Sequence, residues 1–441
     1  MNRKVYTSQE KFLEQNRLLE HPLPYTSDVS VLKQGMRIGS KVIGNRLACQ
    51  AMEGCDGTAT GEPAELTMRR YDRFAKGGAG LLWFEATAVM EEGRANPRQL
   101  YINKNNVDAF KSAVETIKET GLKTNSKEPI LIMQATHSGR YSKPNGVPAP
   151  LIAYNNPIFE GDSPISSERI VSDAYLDKVK DALIQGAALA EEAGFDGVDI
   201  KCCHRYLNSE LLSAYNRPGR YGGSLENRTR LLREAVSGAR EITGKDFFVS
   251  SRLNVYDGFP RPYGFGVGED GIGFDPTEPI WLMEQLAASG VELLNITMGN
   301  PYFNPHVNRP FAIGKYTPDE HPLQGVARML NGTAALKKAV PQMKILCSAM
   351  SYLGVAAPNV AAGLVKEGGI DFAGFGRMTF AYPDFANDIT HKGGLDKSKI
   401  CICCSKCSNM MRAGGTPGCV IRDREIYESI YKQYCGGENN G

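Results

Sequence analysis

The residues in this 441-residue chain that could do chemistry fall into two groups. The first is CICCSKCSNMMRAGGTPGC, Cys401 to Cys419, which holds five of the 11 cysteines in nineteen positions. Thiols at that density suit metal binding or redox work, because thiolates are soft donors that a short loop brings to one centre. The second group is a series of short polar strings, each following an apolar run. They are QATHSGR with Gln134, His137 and Arg140, KCCHRYL with Lys201, His204 and Tyr206, SSRLN with Arg252, CSAM with Ser348 and Ala349, and GFGR with Gly376 and Arg377. Small residues beside an arginine let backbone N–H groups and a guanidinium converge on a phosphate. The strings together point to a phosphorylated cofactor lying across one surface.

The elements that must position these groups show in the hydrophobic pattern. Apolar, β-rich runs begin at Val42 (VIGNRLACQAM), Ala79, Pro129, Gly194, Phe247, Val291, Met343 and Ile370. Helical spacing separates them: Leu176, Val179, Leu183, Ala187 and Ala190 lead to Gly194, and Leu231, Leu232, Ala235, Val236 and Ala239 lead to Gly244. Eight strand–helix units predict a (β/α)8 TIM barrel, with a doubly wound open sheet as the competing α/β architecture. In a barrel the polar strings sit at the C-terminal strand ends, and the end of strands seven and eight is the usual phosphate site. Two irregular stretches, from Ser138 to Asp173 and from Tyr256, are expected over that same face.

Composition narrows the partners. With 51 basic and 49 acidic residues and a net charge of +2, the chain lacks the basic excess of a nucleic-acid binder. The N-terminal segment is charged throughout, and no later run approaches ~18 apolar residues, so a soluble, cytoplasmic protein is expected, without a membrane partner. In a reducing compartment the clustered cysteines read as metal or redox groups rather than disulfides. The division expected is a barrel that binds the phosphorylated cofactor over residues 1–390, with 1–29 as an N-terminal extension, then a cysteine segment and tail over 391–441, ending in a flexible CGGENNG.

AGFDGVDIKCCHRYL followed by NRPGRYGGSLENRTRLLREAV closely resembles the Old Yellow Enzyme family of FMN-containing ene reductases. The likeness extends over GNRLACQAMEG, QATHSGR, SSRLN and FGRMTFAYPDF, roughly residues 30 to 390. It implies that Ala51, Met52 and Ala86 line the flavin, that Gln134 bonds its pyrimidine edge, and that Arg252 stabilises the reduced anionic ring. Ser348, Ala349, Gly376 and Arg377 would hold the phosphate. Tyr206 takes the family's proton-donor position and His204 binds the substrate oxygen, with His137 supporting from behind.

The spacing C-x2-C-x2-C-x11-C of Cys401, Cys404, Cys407 and Cys419 is similar to the [4Fe–4S] segment of the subgroup containing 2,4-dienoyl-CoA reductase and trimethylamine dehydrogenase. Structural zinc would use the same four thiolates, and Cys403 in place of Cys404 is a second ligand set. No GxGxxG strand–helix unit follows the cysteines, so the expected electron source is NADH or NADPH at the barrel mouth or a donor protein acting through the cluster. A homo-oligomer is compatible with either.

Lys201 departs from the family, which commonly has histidine there. A lysine ammonium polarises a carbonyl or pairs with an acid, Asp199 and Glu210 being the candidates. The implied function is reduction of an activated C=C bond in a small-molecule enone, enoate, steroid enone or enoyl thioester. An amine dehydrogenase passing electrons through the cluster and a non-catalytic flavin/cluster electron-transfer module are the alternatives.

Overall fold

The apolar runs become parallel strands that close on one another. In the computed structural model, which describes residues 3–436, the strands are β1 (Met36–Ile38), β2 (Lys41–Ile43), β3 (Leu47–Cys49), β4 (Leu81–Ala88), β5 (Ile130–Thr136), β6 (Gly197–Ile200), β7 (Phe248–Asn254), β8 (Leu293–Thr297), β9 (Lys344–Cys347) and β10 (Phe372–Phe375). Strands β3 to β10 form a closed barrel in sequence order, with β10 pairing back to β3. This is the (β/α)8 architecture, and the open sheet is excluded because no barrel strand has a free edge.

The run from Val42 is two strands rather than one. Its first residues pair antiparallel with β1, Arg37 opposite Val42, and only Leu47–Cys49 enters the barrel. The reason is packing: Ile38 and Ile43 join Leu81, Trp83, Ile130, Phe248, Leu293 and Phe372 in the barrel's interior cluster, so the β1–β2 hairpin plugs one end of the barrel. The functional strand ends are then left to the other face.

The helices follow their spacing. Helix Asp173–Glu192 buries Leu176, Val179, Leu183, Ala187 and Ala190, begins with the Ser172 side chain accepting from Tyr175 N–H, and is followed by Gly194 at φ 83°. Helix Arg230–Ile242 buries Leu231, Leu232, Ala235, Val236 and Ala239, ending two residues ahead of Gly244. Each fully buried leucine or valine contributes about 1.5–3 kcal/mol of transfer free energy. Among the described residues no helix is long and apolar enough to cross a membrane.

The C-terminal segment returns to the barrel. Asp423 accepts a bidentate pair from Arg69 at 2.8 and 2.9 Å and a further bond from Arg73, and Thr416 donates to the Cys55 carbonyl at 3.3 Å. Helix Arg424–Cys435 buries Tyr427 and Cys435 in a satellite cluster with Met410 and Val420. Cys435, expected in a flexible tail, is therefore the end of a packed helix, and residues 437–441 of that tail lie outside the described residues.

Gln50, just past β3, ties three strands together. Its amide pairs reciprocally with Asn295 of β8 at 3.0 and 2.7 Å and donates to the Cys347 carbonyl of β9 at 3.0 Å. A Cβ at Gly374 would stand 2.3 Å from both that carbonyl oxygen and the Gln50 side-chain nitrogen. Gly374→Ala is expected to cost roughly 1–3 kcal/mol through overpacking. Urea unfolding of the two proteins checks this, and an unchanged midpoint would mean that the contact relaxes freely.

Candidate active site

The C-terminal strand ends open into a cavity with about 1010 Å³ of empty space. Twelve of the barrel residues singled out in the sequence line it, Ala51, Met52, Ala86, Gln134, Lys201, His204, Tyr206, Arg252, Ser348, Ala349, Gly376 and Arg377, while His137 and Arg140 do not. At one end Ser348 is fixed by donating to the Ile296 carbonyl at 2.9 Å, and Ala349 adopts a left-handed backbone at φ 72°. Arg377 donates one terminal nitrogen to the Pro310 carbonyl at 2.7 Å and leaves Nη1 buried without a partner.

Asp199 organises the floor. Its carboxylate accepts from Trp83 Nε1 at 2.7 Å, Gln134 Nε2 at 2.6 Å and the Arg252 backbone N–H at 2.6 Å. Gln134 thus spends its donor inside the protein and keeps its carbonyl oxygen for the cavity. Arg252 is buried with Nε unpartnered. Three orphaned atoms, on Arg252, Arg377 and His204, suit a ligand with an anionic end and hydrogen-bond acceptors along its edge. FMN has that form.

The catalytic candidates stand on a strained turn. His204 and Arg205 both have left-handed backbones, at φ 64° and 62°. Such consecutive residues persist only when held, and Arg205 is the anchor. Its guanidinium donates to Asp257 at 3.0 Å, Ser213 Oγ at 2.5 Å and Tyr154 Oη at 2.8 Å. His204 then presents Nε2 to the cavity, and burial, followed by the charges of Arg252 and Lys201, holds it well below the usual histidine range. It is a neutral imidazole.

Lys201 pairs with neither acid expected for it. Asp199 is saturated as above, and Glu210 is held by Arg140 and accepts from Ala153 N–H at 2.9 Å. The ammonium instead lies 3.8 Å from the Tyr206 ring centroid, and burial lowers its pKa, with Glu53 and Cys203 opposing. Tyr206 Oη is 3.0 Å from Tyr302 Oη, and Tyr302 stacks on Tyr141 with centroids 4.0 Å apart. Burial, with Tyr302 and Glu53 adding, keeps the Tyr206 phenol protonated.

Glu53, Tyr302 and Tyr141 went unnoticed in the sequence. Glu53 accepts from Asn96 Nδ2 at 3.1 Å, and burial raises its pKa, with Lys201 chiefly opposing. Tyr302 follows β8 and could have been found by the strand-end rule. Tyr141 belongs to the long stretch after β5, which touches the site through the Tyr141–Tyr302 stack but contributes no residue to the cavity lining; its Phe159 meets Phe259 and Phe303 edge-on, at 5.6 and 4.9 Å. His137 is a support. Its Nδ1 accepts from Gly139 N–H at 3.1 Å and its Nε2 lies 2.9 Å from Tyr175 Oη.

A second cavity, with about 380 Å³ of empty space, is lined by Cys401, Cys403, Cys404, Cys407 and Cys419. It shares Arg377, Phe380 and Cys407 with the first, so the two spaces abut. Backbone N–H groups of Cys403 and Arg422 point at the sulfurs of Cys401 and Cys419, at 3.4 and 3.3 Å. Among the described residues no group of three or more His, Cys, Asp or Glu side chains is arranged to hold a metal ion.

The model of the NADH:flavin oxidoreductase / NADH oxidase family matches residues 32–269, more than half of the chain. The chain belongs to that family. It is a flavin-dependent oxidoreductase, and the Old Yellow Enzyme resemblance is borne out. Among curated family relatives, the NADPH dehydrogenase of Bacillus pumilus is 34% identical over 52% of this chain and 61% of its own. The NADPH dehydrogenase of Geobacillus sp. is 29% identical over 60% and 71%. A metal reductase of Desulforamulus reducens is 24% identical over 86% of this chain, which spans about half, 51%, of that protein. Of solved structures, a 2-naphthoyl-CoA reductase complex superposes with a TM-score of 0.72 at 20% identity, over 92% of this chain and 58% of that one. Histamine dehydrogenase from Rhizobium sp. 4-9 gives 0.67 at 18%, over 89% and 52%. These likenesses show a common fold.

Burial of His137 depresses its pKa from 6.5 to about 4. Between those values the unfolded chain binds a proton that the folded family member does not, so stability rises with pH across the window and is fully present above about 6.5. Lowering the pH from 6.5 to 4 is expected to remove on the order of 2–3 kcal/mol through this group. Urea midpoints of wild type and His137→Gln across that range test it: the wild type must show the steeper slope, and parallel slopes would contradict it.

Proposed function

We propose that the protein is an FMN- and [4Fe–4S]-containing ene reductase acting on an enone, enoate, steroid enone or enoyl thioester, with NADH or NADPH as hydride source. The observation that carries this reading is the grouping of Lys201, His204 and Tyr206 in the lining of one cavity that also holds Ser348, Ala349, Gly376 and the unpartnered Nη1 of Arg377. Ser348, Ala349, Gly376 and Arg377 would hold the FMN phosphate, Gln134 and Arg252 the polar edge of the ring, and Ala51, Met52 and Ala86 its apolar face. Cys401, Cys404, Cys407 and Cys419 would hold the cluster, whose cavity adjoins Arg377. Bound FMN supplies a hydride for the β carbon of the activated double bond.

The chain's own residues do the rest. His204, neutral and unpaired at Nε2, donates to the activating oxygen, and the Lys201 ammonium draws electron density toward that oxygen as negative charge develops. Tyr206 delivers a proton to the α carbon. An ordinary phenol near pKa 10 resists giving up its proton, and burial raises that barrier. The ammonium over its ring offsets the rise by stabilising the forming phenolate, and Tyr302 Oη is within hydrogen-bond reach to return the proton. Tyr141 and Tyr302 keep the spot dry.

The NADPH dehydrogenase relatives support the donor, and the thioester named with the 2-naphthoyl-CoA reductase supports that substrate class. Histamine dehydrogenase favours amine oxidation instead. The positive charges of Lys201 and Arg252 weigh against it, because an ammonium substrate would enter a cavity already cationic.

Tyr206→Phe is expected to slow reoxidation of the reduced protein by its best enone about 10²–10⁴-fold while flavin stays bound. Stopped-flow absorbance under anaerobic conditions measures this, and an unchanged rate removes Tyr206 as the proton donor. Cys404→Ser is expected to lose iron on purification where Cys403→Ser keeps it; the reverse pattern would exchange the two cysteines in the ligand set.

A further inference from the structure

A third depression, with about 530 Å³ of empty space, opens beside the active-site cavity and shares Tyr302 and Arg309 with it. Its lining carries Arg309, Arg412 and Lys315 and no aspartate or glutamate. The acid nearest in sequence to Lys315 that makes an ion pair is Glu320, already engaged by Arg328 at 2.5 and 2.8 Å. Among the described residues none of the three cations forms an ion pair. Arg309 donates to Ser405 Oγ at 3.3 Å and Arg412 to the Pro301 carbonyl, both neutral acceptors. The crowding registers in Arg309, which is pushed down to about 9 by burial and then by the charges of Arg377 and Arg412. Arg377 is itself one of the phosphate donors of the first cavity; the other three cations have no carboxylate partner among the described residues, the acidic groups that act on Arg309 being the thiols of Cys407 and Cys403.

The rim gives a second, independent indication. Tyr316 is 41% exposed and Phe303 45% exposed, unusual for large aromatic side chains. Neither is loose. The Tyr316 ring is held edge-on by Phe311 and His306, with centroids 5.8 and 5.6 Å away, and Phe303 is braced by Phe159. A fixed, exposed ring next to guanidinium groups provides a stacking face for a purine base and a fork for its phosphates.

We propose that this depression binds the adenine nucleotide tail of a molecule whose reactive end enters the active-site cavity. Arg309, Arg412 and Lys315 take the phosphates, and Tyr316 or Phe303 takes the purine. Two molecules carry such a tail, a reduced nicotinamide dinucleotide and a coenzyme A thioester. The assignment of the reactive end rests on the ene reductase reading; the tail site itself does not.

The test uses flavin-loaded, full-length protein. Calorimetry with ADP is expected to give binding that weakens about tenfold in Arg412→Gln, about threefold in the exposed Lys315→Gln, and further as salt rises. No ADP binding, or equal affinity in wild type and both variants, overturns the proposal. Concentration dependence of flavin reduction by NADH and by NADPH, and of flavin reoxidation by crotonyl-CoA, then separates the sources. An apparent KM raised about tenfold in Arg412→Gln, with kcat held, assigns the tail to the molecule that shows it. No change in any arm overturns the proposal even where ADP binds. Reoxidation by 2-cyclohexen-1-one, which has no nucleotide, reports on the ene reductase reading alone, and its failure leaves the ADP result standing.

Discussion

Buried positive charge without a counter-ion is the constraint on which the barrel mouth depends. Elsewhere most buried cations among the described residues are paired, Arg70 with Asp56 and Glu85, Arg205 with Asp257, Arg140 with Glu160 and Glu210, while Arg94 is satisfied by the backbone carbonyls of Ala59 and Gln99. At the mouth Lys201, Arg252 and Arg377 are buried to 4, 8 and 7% exposure, and among the described residues none forms an ion pair. A buried ion without a partner costs several kcal/mol, so a fold that keeps three of them is built around a negative ligand. A flavin phosphate and a ring that gains negative charge on reduction meet that need.

The rest of the structure holds those charges in place. The β1–β2 hairpin and the interior cluster stopper one end of the barrel, so the polar chemistry is confined to the other. Asp199 accepts three hydrogen bonds and fixes Gln134 and the Arg252 backbone without forming an ion pair with Lys201 or Arg252. The left-handed pair at 204 and 205 is held by the Arg205 anchor, which converts a buried ion pair into the aim of a histidine. The cysteine segment then closes over Arg377, placing five thiols on the far side of a wall that the first cavity also uses.

Much of this was legible in the sequence because it is local. Strand runs, helical spacing before Gly194 and the polar strings after each strand are short-range patterns, and barrel closure brings every string to the same mouth. What stayed hidden depends on tertiary choice. The run from Val42 looks continuous, and only the buried hairpin explains its break at Gly44. Nothing near Lys201 in sequence reveals that Glu210 prefers Arg140, or that a tyrosine ring receives the ammonium. Glu53 and Tyr302 were within reach, since each lies in the loop that follows a barrel strand, but their types alone did not mark them. Arg309 had no local signal, because its meaning comes from two other arginines brought to it by folding.

The central claim is that these charges and thiols hold two prosthetic groups side by side. Cofactor analysis of protein purified without oxygen tests it most directly, by quantifying flavin and acid-labile sulfide and iron per chain. One FMN with about four irons and four sulfides per chain is the expected result. Protein that binds neither flavin nor iron after anaerobic reconstitution, while remaining folded, would contradict it.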